Sequence, residues 1–402
     1  MTELIDGSEF PYIEIDALLR DEEDQSAPQL DHWRLLGTHA PECALNAAVG
    51  YYFPKDSLMA GEDLAICIAV SNAGELPMDS ILMSYTIEKD GLIRQEKRFR
   101  LDSLRVGEHL IDTVYLSTID LVGTHTLKVE ANAFNPELGT YDQLEQYRFN
   151  NHFQRNFTVL DDRINPLLEV TFDGRRILNG DIVSAAPLIR VSLDDENPYL
   201  LMNQLADTSS FKMYVQHPNG QQQPVFFANE NEVLWLPAGE DNKVAFEYRP
   251  QFVQDGNYRL LVQAQDKSGN SSGDLDYTID FEVITENSIT DVLNYPNPFT
   301  TRTQFVFTLT GNTPPDEIYI QIMNISGRVV REIRTEEFGP MVIGRNRSEY
   351  WWDGRDQYGD PLANGVYLYR VVAKLNGVEV KHRDSGASAF FTKGIGKMYL
   401  MR

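Results

Sequence analysis

This 402-residue chain lacks long apolar runs and lacks clustered basic residues. No stretch is long and apolar enough for a transmembrane helix, which needs about 20 such residues. Lysine and arginine total 35 against 60 aspartate and glutamate, giving a formal charge of −25. Because phosphate backbones are bound by clustered basic surface, this balance argues against a nucleic-acid partner. The sequence therefore predicts no membrane span and no nucleic-acid binding.

Cysteine is also scarce, with only Cys43 and Cys67. They are too close in sequence for the usual inter-sheet bridge of an immunoglobulin domain, which leaves a local disulfide or, as we favour, two small buried side chains. Cys67 lies within an alternating apolar run, and Cys43 lies in a turn-like context near His39. We predict no catalytic Cys-His pair, and no other nucleophile or paired carboxylates at working spacing, so we expect no enzyme in this chain.

A repeated pattern is the strongest positive signal. Residues 123–131, 256–264 and 365–373 each begin with glycine and then place an aromatic residue or histidine, a large apolar residue, valine and alanine at alternate positions. This period of two is typical of a strand that buries one face. The copies are roughly 110 to 130 residues apart, which is the size of an immunoglobulin-like sandwich with its turns.

The repeat predicts an all-β chain of three tandem antiparallel immunoglobulin-like β-sandwich domains. We place these domains at residues 33–162, 163–286 and 287–402, with short polar linkers between them. Residues 1–32 are dense in acidic residues and resemble the tail of a preceding segment. We expect the chain to be part of a longer protein.

The third predicted domain carries the sharpest motifs: YPNPF at residues 295–299, SGRVVREI at 326–333 and WDGRDQYGDPLANGVYLYRV at 352–371. Together they resemble the C-terminal immunoglobulin-like domain of proteins that leave Bacteroidota cells by the type IX secretion system. In that family a final strand carries the export and attachment signal. The resemblance implies a recognition role here for Lys393, Gly394, Gly396, Lys397, Met398 and Arg402.

Two further segments strengthen the resemblance. Residues 145–151 and 165–184 look like the region after the peptidase domain in gingipain-related, sortase-like proteins of that phylum, and residues 61–74 resemble adhesion-related repeats of surface proteins. This implies a non-catalytic C-terminal stalk and export or attachment region, with a cysteine-peptidase-like domain and a signal peptide upstream. No segment here resembles the peptidase domain itself.

The resemblance also implies partners and a location. The partners would be type IX outer-membrane proteins and the upstream domain, and the protein would be at the cell surface, in the outer membrane or secreted through the periplasm. Whether it is cargo or a sortase-like component of the machinery stays open. The alternative function is surface adhesion or a glycan- or protein-binding module.

Two kinds of ligand site remain to be weighed. Of the two adjacent tryptophans, Trp352 is expected in the core and Trp351 is the candidate ligand contact. Calcium is the one cofactor for which the sequence offers ligands, either at Asp353, Asp356 and Asp360 or in the run 194–197. Turn-forming aspartates explain the first group equally well, and a solvated charge run explains the second. We therefore expect no cofactor.

Overall fold

A computed structural model of the chain describes residues 12, 14–20, 22–23, 29–31, 37, 39–227, 232–383, 391–392 and 394–402. Contacts divide the chain into two compact units, residues 1–162 and 163–402. The described residues form strands and three short 3₁₀ helices, which confirms the all-β prediction. No helix among them is long and apolar enough to cross a bilayer. Most of the predicted lead-in, and Trp33 at the predicted start of the first domain, lie outside the described residues.

The first unit contains one sandwich. Its strands are β1 (Cys43–Tyr52), β2 (Ser57–Met59), β3 (Leu64–Asn72), β4 (Ile81–Lys89), β5 (Leu92–Leu101), β6 (His109–Leu110), β7 (Thr113–Leu116), β8 (Gly123–Ala131), β9 (Phe134–Asn135), β10 (Thr140–Tyr141) and β11 (His152–Leu160). One sheet has the order β1-β3-β6, with β7 also on β3, and the other has the order β2-β11-β8-β4-β5. A 3₁₀ turn at Phe149–Asn151 precedes β11, and β9 pairs with β10.

The second unit begins with another pair of sheets. Their strands are β12 (Leu167–Phe172), β13 (Asp181–Val183), β14 (Ile189–Asp194), β15 (Phe211–Gln216), β16 (Gln222–Pro224), β17 (Val233–Leu236), β18 (Lys243–Tyr248), β19 (Gly256–Ala264) and β20 (Tyr277–Val283). The sheet orders are β12-β14-β18-β17 and β13-β20-β19-β15-β16. A 3₁₀ helix at Leu205–Ser210 leads into β15.

The last pair of sheets follows directly. Its strands are β21 (Ser288–Tyr295), β22 (Gln304–Leu309), β23 (Glu317–Met323), β24 (Val329–Ile333), β25 (Gly344–Arg347), β26 (Gly365–Leu375), β27 (Val378–Glu379), β28 (Lys381–His382), β29 (Phe391–Thr392) and β30 (Ile395–Leu400). The sheet orders are β25-β22-β21-β28 and β24-β23-β26-β30-β29, with β27 on β26. A 3₁₀ turn at Thr335–Glu337 precedes β25.

The three repeated segments become equivalent strands, β8, β19 and β26. In each, the aromatic residue or histidine, Val and Ala of the motif are buried, as the period of two predicts. In the second and third copies the aromatic residue is a tyrosine that caps a turn: Tyr258 and Tyr367 each donate a hydroxyl hydrogen bond to a carbonyl four residues upstream, at 2.9 and 2.7 Å. The same arrangement is a hallmark of immunoglobulin-type sandwiches.

Each sandwich also contains a parallel contact that the sequence analysis did not predict. The last strand of the first sandwich, β11, pairs in parallel with β2, and the last strand of the second, β20, pairs in parallel with β13. In the third, Phe299 takes this place and forms a parallel bridge to Leu400 of β30. The three last strands therefore each pair with the repeated strand on one side and with a short parallel segment on the other, where β30 also pairs antiparallel with β29.

The second and third sandwiches are joined by hydrogen bonds as well as by the chain. The amide of Gly311 donates to the carbonyl of Ile284 at 2.9 Å, and the amide of Ala185 donates to the carbonyl of Gly311 at 3.3 Å. Gly344 of β25 lies against Ile182, so that a Cβ there would be 2.5 Å from the Ile182 carbonyl oxygen. The two sandwiches keep separate hydrophobic cores but form one compact unit.

Candidate functional site

The C-terminal strand is the site to which the sequence motifs point. β30 pairs antiparallel with β26, from Gly365 opposite Leu400 to Arg370 opposite Ile395. Its side chains alternate: Gly396, Met398 and Leu400 point into the sandwich and are buried, and the residues between them are exposed. Only the outward set can contact another molecule while the domain is folded.

The YPNPF loop, residues 295–299, holds the other edge of β30. The Phe299 amide donates to the carbonyl of Tyr399 at 3.0 Å, and the Met401 amide donates to the carbonyl of Phe299 at 2.9 Å. The side chain of Asn297 both donates to the carbonyl of Lys397 and accepts from the amide of Tyr399, each at 3.0 Å. The strand is thus paired along both edges.

The peptide bonds before Pro296 and Pro298 in this loop are both cis. Phe299 is buried, and its ring centroid is 5.5 Å from that of Trp352.

Trp352 is the buried centre of this end of the sandwich, as predicted. It is fully buried, its indole Nε1 donates to the carbonyl of Arg355 at 2.8 Å, and its ring makes an edge contact with Tyr367 at 6.0 Å. Burial raises the pKa of Tyr367. Trp352 forms a bridge to Thr303, and Tyr350 packs against the same core while Trp351 is exposed.

Arg402 closes the site through contacts within the chain. Its backbone amide donates to the Asn364 side chain at 2.8 Å, and the Asn364 amide group donates back to the Arg402 carbonyl at 3.0 Å. Its guanidinium donates to the carbonyl of Asp353 at 2.6 Å. Arg402 is therefore held by the turns at residues 352–355 and 362–365, while its side chain stays exposed.

The predicted recognition residues fall into different environments. Lys397 and Arg402 are exposed, Gly394 is half-buried, and Gly396 and Met398 are interior residues with packing roles. Lys393 lies outside the described residues. Recognition stays a prediction for this set, and within the folded domain it applies to the exposed members.

Sequence analysis missed the residues that hold the strand. Asn297 and Asn364 bind the backbone of β30 and of Arg402, about 100 and 38 positions away in sequence. Tyr369 covers Gly396 from the neighbouring strand. Asn297 lies in the YPNPF motif, and Asn364 lies in LANG, residues 362–365. These motifs could have drawn attention to the two asparagines, but they do not show which strand the side chains bind.

Trp351, the candidate ligand contact, is only partly exposed. The guanidinium of Arg302 lies 4.4 Å from the centroid of its ring, a cation–π contact. That contact covers one face of the indole. A sugar or peptide would therefore have to use the other face or displace Arg302.

The aspartates at 353, 356 and 360 are turn residues. Asp356 accepts hydrogen bonds from the amides of Tyr358 and Asp360, both at 2.9 Å, and Asp353 forms an ion pair with Arg355 at 3.2 Å. Backbone amides and an arginine thus use carboxylate oxygen atoms of Asp356 and Asp353 that a calcium ion would need. This geometry favours the turn interpretation over the metal one.

The run 194–197 is not a solvated charge run, which corrects one of the two interpretations above. Asp194 pairs with Lys243 at 3.3 Å, but Asp195 and Asn197 are buried. Asn242 donates to a carboxylate oxygen of Asp195 and to the carbonyl of Asn197, both at 2.8 Å.

A second buried carboxylate lies beside this run. Asp266 has a carboxylate oxygen within 4.8 Å of one of Asp195, and both residues are almost fully buried. These oxygen atoms are of the type that calcium uses. The Asp266 carboxylate accepts hydrogen bonds from the backbone amide and the side-chain amide of Asn270, both at 2.8 Å, so protein donors already use its oxygen atoms.

Both cysteines are free and buried, so the local disulfide is wrong and the interpretation as small buried side chains is confirmed. Cys43 begins β1, and its amide donates to Glu145 at 2.7 Å, so it does not lie in a surface turn. Burial, together with the nearby Glu145 carboxylate, raises the pKa of the Cys43 thiol far above its usual range. Such a thiol is unsuited to nucleophilic catalysis.

No family model matches this chain, and no curated protein matches it in sequence. Among solved structures, dimeric latent PorU from Porphyromonas gingivalis aligns with 90% of this chain at 14% identity and a TM-score of 0.25. The three domains FN1-FN3 of chicken CNTN1 align with 88% of this chain, and with 98% of their own length, at 10% identity and a TM-score of 0.25.

A third solved structure is the CARDB domain of PF1109 from Pyrococcus furiosus, in complex with di-metal ions. It aligns with 31% of this chain and 98% of its own length, at 15% identity and a TM-score of 0.24. This chain spans about a third of the PorU chain, 34%. At these identities and TM-scores no residue's role is carried over to this chain.

Proposed function

We propose that this chain is the non-catalytic stalk and export or attachment region of a type IX secretion-associated surface protein. In this proposal the third sandwich is recognised by the outer-membrane machinery, and the sandwiches before it act as a spacer. No catalytic step is assigned to the chain. The motif resemblance of residues 295–402 suggests the system, and the structure of β30 supplies the surface.

The outward face of β30 carries the proposal. Ile395, Lys397 and Tyr399 are exposed along one face of the strand, and Met401 continues the row. Their backbone is fixed on both edges, by β26 and by the YPNPF loop. Side chains on a strand held in this way are presented in one geometry, which lowers the entropy lost when a partner binds.

The hydrogen-bonded junction of the last two sandwiches supports the spacer role. Bonds between residues 184–185 and 311–312, together with Gly311 and Ile284, connect the sandwiches beyond the linker itself. Lys381 of the third sandwich also pairs with Glu286 at 2.6 Å. A joint with this many direct contacts resists bending more than a free polar linker does.

A matched pair of variants tests the recognition step. Lys397-Met-Tyr399 of β30 has a counterpart with the same sequence in β15, Lys212-Met-Tyr214, where the methionine is also buried. The test variant is Lys397→Glu with Tyr399→Ser, and the control variant is Lys212→Glu with Tyr214→Ser. Each full-length protein is incubated with detergent-solubilised outer membrane from a type IX-competent bacterium, and the bound proteins are quantified by mass spectrometry.

We expect the wild type and the β15 variant to retain the same machinery proteins and the β30 variant to lose most of them. Equal recovery by all three proteins, or recovery of no machinery protein by any of them, would contradict the assignment of β30 as the recognition element. Melting curves of the two variants establish that both are folded.

The adhesion alternative is tested separately. A glycan array probed with the wild type and with Trp351→Ala measures whether this half-exposed tryptophan contributes to sugar binding. Binding that disappears with Trp351→Ala would favour the adhesion function. Binding to no glycan leaves the export proposal as the better account.

A further inference from the structure

A cluster of arginines lines a cleft in the second unit. Arg175 from the second sandwich and Arg345 and Arg347 from the third line a cleft of about 500 Å³, together with Phe338, Pro340 and Glu349. We call these residues the arginine cleft. Arg175 and Arg345 also line an adjoining cleft of about 200 Å³, whose other charged lining residues are Asp173, Arg176 and Asp181.

The charge of the arginine cleft is opposite to that of the protein. Three guanidinium groups against the single carboxylate of Glu349 leave a formal charge of +2, in a chain whose net charge is −25. Most exposed arginines elsewhere in this unit have a carboxylate partner, for example Arg190, Arg259 and Arg370. Among the residues that the structure describes, no ion pair, side-chain hydrogen bond or ring contact involves the side chains of Arg175, Arg345 or Arg347.

Like charges around one cleft repel one another, and salt screens this repulsion fully only beyond the Debye length, about 8 Å at physiological ionic strength. An acidic protein has many carboxylates that could neutralise these charges, yet Glu349 supplies the one carboxylate among the residues that line this cleft. A bound anion would remove this repulsion and would use the guanidinium donors, which are suited to planar or tetrahedral oxyanions.

The backbone that carries two of these arginines is rigid. Arg345 and Arg347 are two residues apart on β25, so both side chains leave the same face, roughly 7 Å apart along the strand. Between them, the buried side chain of Asn346 donates to the carbonyls of Val342 and Gly344 at 2.7 and 2.8 Å and accepts from the Val342 amide. The backbone from which the Arg345 and Arg347 side chains extend is therefore fixed by hydrogen bonds.

The third arginine is fixed against that backbone by the contact between the sandwiches. Arg175 lies in a tight turn after β12, where its amide and carbonyl both bond to Phe172. Gly344 of β25 lies against Ile182 of β13, which leaves no room for a side chain at position 344. The cleft thus exists only because the two sandwiches meet, and its arginines come from both.

From these observations we infer that the arginine cleft binds a compact dianionic oxyanion, which is either free sulfate or a phosphate group, free or as a monoester. The formal charge of +2 matches a dianion, and the volume suits a small group better than a folded partner. This inference goes beyond the export proposal and does not rest on it.

Calorimetric titration of the full chain tests the inference. The ligands are sodium sulfate, inorganic phosphate, glucose 6-phosphate and a hexaglutamate peptide, all at constant ionic strength. The cleft variant is Arg175→Gln, Arg345→Gln and Arg347→Gln combined. The control variant is Arg94→Gln, Arg105→Gln and Arg328→Gln combined, which removes three positive charges from exposed arginines outside the cleft.

We expect one saturable site for sulfate or phosphate in the wild type and in the control variant, and affinity at least about tenfold weaker in the cleft variant. Tighter binding of glucose 6-phosphate than of inorganic phosphate would identify an ester as the source, and the reverse would identify the free ion. The melting temperature of the wild type should rise with added anion, and that of the cleft variant should not.

Three results would overturn the inference. One is that the wild type shows no saturable binding of any oxyanion. Another is that the cleft and control variants lose affinity equally, which would mean that the anion responds to the overall charge of the protein. The third is binding of hexaglutamate alone, which would mean an acidic protein partner. Because the three arginine side chains make no hydrogen bond, ion pair or ring contact among the described residues, we expect the cleft variant to melt at the wild-type temperature in chloride buffer, so misfolding does not confuse the test.

Discussion

The aromatic ring of Tyr369 lies over Gly396, its cross-strand neighbour, and a Cβ at position 396 would overlap that ring. Tyr369 is only 3% exposed, so its ring fills the space that a side chain on β30 would otherwise take. The glycine of the last strand is therefore required by packing against β26. A sequence search for export signals would count Gly396 as part of a signal, whereas the structure gives it a steric role.

This contact predicts that Gly396→Ala destabilises the third sandwich. The added methyl group must displace a buried ring, and overpacking of this kind costs about 1 to 3 kcal/mol in the free energy of unfolding. Urea denaturation of the full chain measures the loss. Gly273→Ala is the matched control, because a Cβ at position 273 would lie 3.6 Å from its nearest neighbouring atom, an ordinary contact distance.

Adding Tyr369→Leu tests whether the ring is the cause. If it is, the double variant should lose less stability than the sum of the two single variants, because the smaller side chain leaves room for the methyl group. Additive losses would show that Gly396→Ala acts elsewhere, and the steric account would then be wrong.

A half-buried carboxylate, that of Glu145, supports strand β1. Glu145 accepts hydrogen bonds from the amide of Cys43 at 2.7 Å and from the side-chain amides of Asn132 and Asn151, both almost fully buried. Glu145→Gln keeps the shape of the side chain but replaces one carboxylate oxygen by an NH2 group. That group donates hydrogen bonds and would face the N–H groups that now donate to Glu145. We expect a loss of about 2 to 3 kcal/mol in the free energy of unfolding of the first unit.

The control for that variant is Glu137→Gln, which removes the same charge from an exposed position in the same unit. Thiol reactivity provides a second measurement, because Cys43 and Cys67 are free and buried and should react only after the unit opens. Faster labelling in Glu145→Gln than in Glu137→Gln would agree with the prediction. Equal rates would contradict it.

The repeated strands could be predicted from sequence, and the hydrogen bonds that hold β30 could not. The alternation that defines β8, β19 and β26 is local, so nine residues are enough to reveal it. Bonds such as Asn297 to Lys397 join residues 100 positions apart, so no local sequence pattern reveals them. The burial of Asp195 was missed for the same reason, since its partner Asn242 lies on a distant loop.

Buried tyrosines predict loss of stability at alkaline pH. Burial raises the pKa of Tyr248 to about 12, from an ordinary value of 10.0, and also raises the pKa of Tyr85 and Tyr369. A tyrosine with a raised folded-state pKa contributes stability that is complete below pH 10, where both states are neutral. That contribution is lost as pH rises from about 10 toward 12, because the unfolded chain ionises first.

Urea denaturation at pH 8, 10 and 11 measures this effect. Tyr248→Phe should match the wild type closely at pH 8 and should lose less stability between pH 10 and 11, because one ionisable group is gone. An identical pH profile for the two proteins would show that Tyr248 ionises equally easily in the folded and unfolded states, which would contradict the burial argument.

Asn242 is the hub of the loops at one end of the second sandwich. It is 1% exposed, donates to Asp195, to the carbonyl of Asn197 and to the carbonyl of Leu200, and accepts from the amide of Met202. Its backbone is in the left-handed region, with φ of 46°. Asn242→Ala removes every one of these side-chain bonds, and alanine tolerates a left-handed backbone less well than asparagine, so we expect a loss of about 3 to 4 kcal/mol.

Asn242→Gly separates the two causes. Glycine loses the same hydrogen bonds but tolerates the left-handed backbone, so its loss of stability should be smaller than that of alanine by about 1 kcal/mol. Urea denaturation of both variants gives the comparison. If the two variants lose the same free energy of unfolding, the left-handed backbone makes no contribution. If both lose less than about 1 kcal/mol, the buried hydrogen bonds of Asn242 do not organise the loops that carry Asp195 and Asn197.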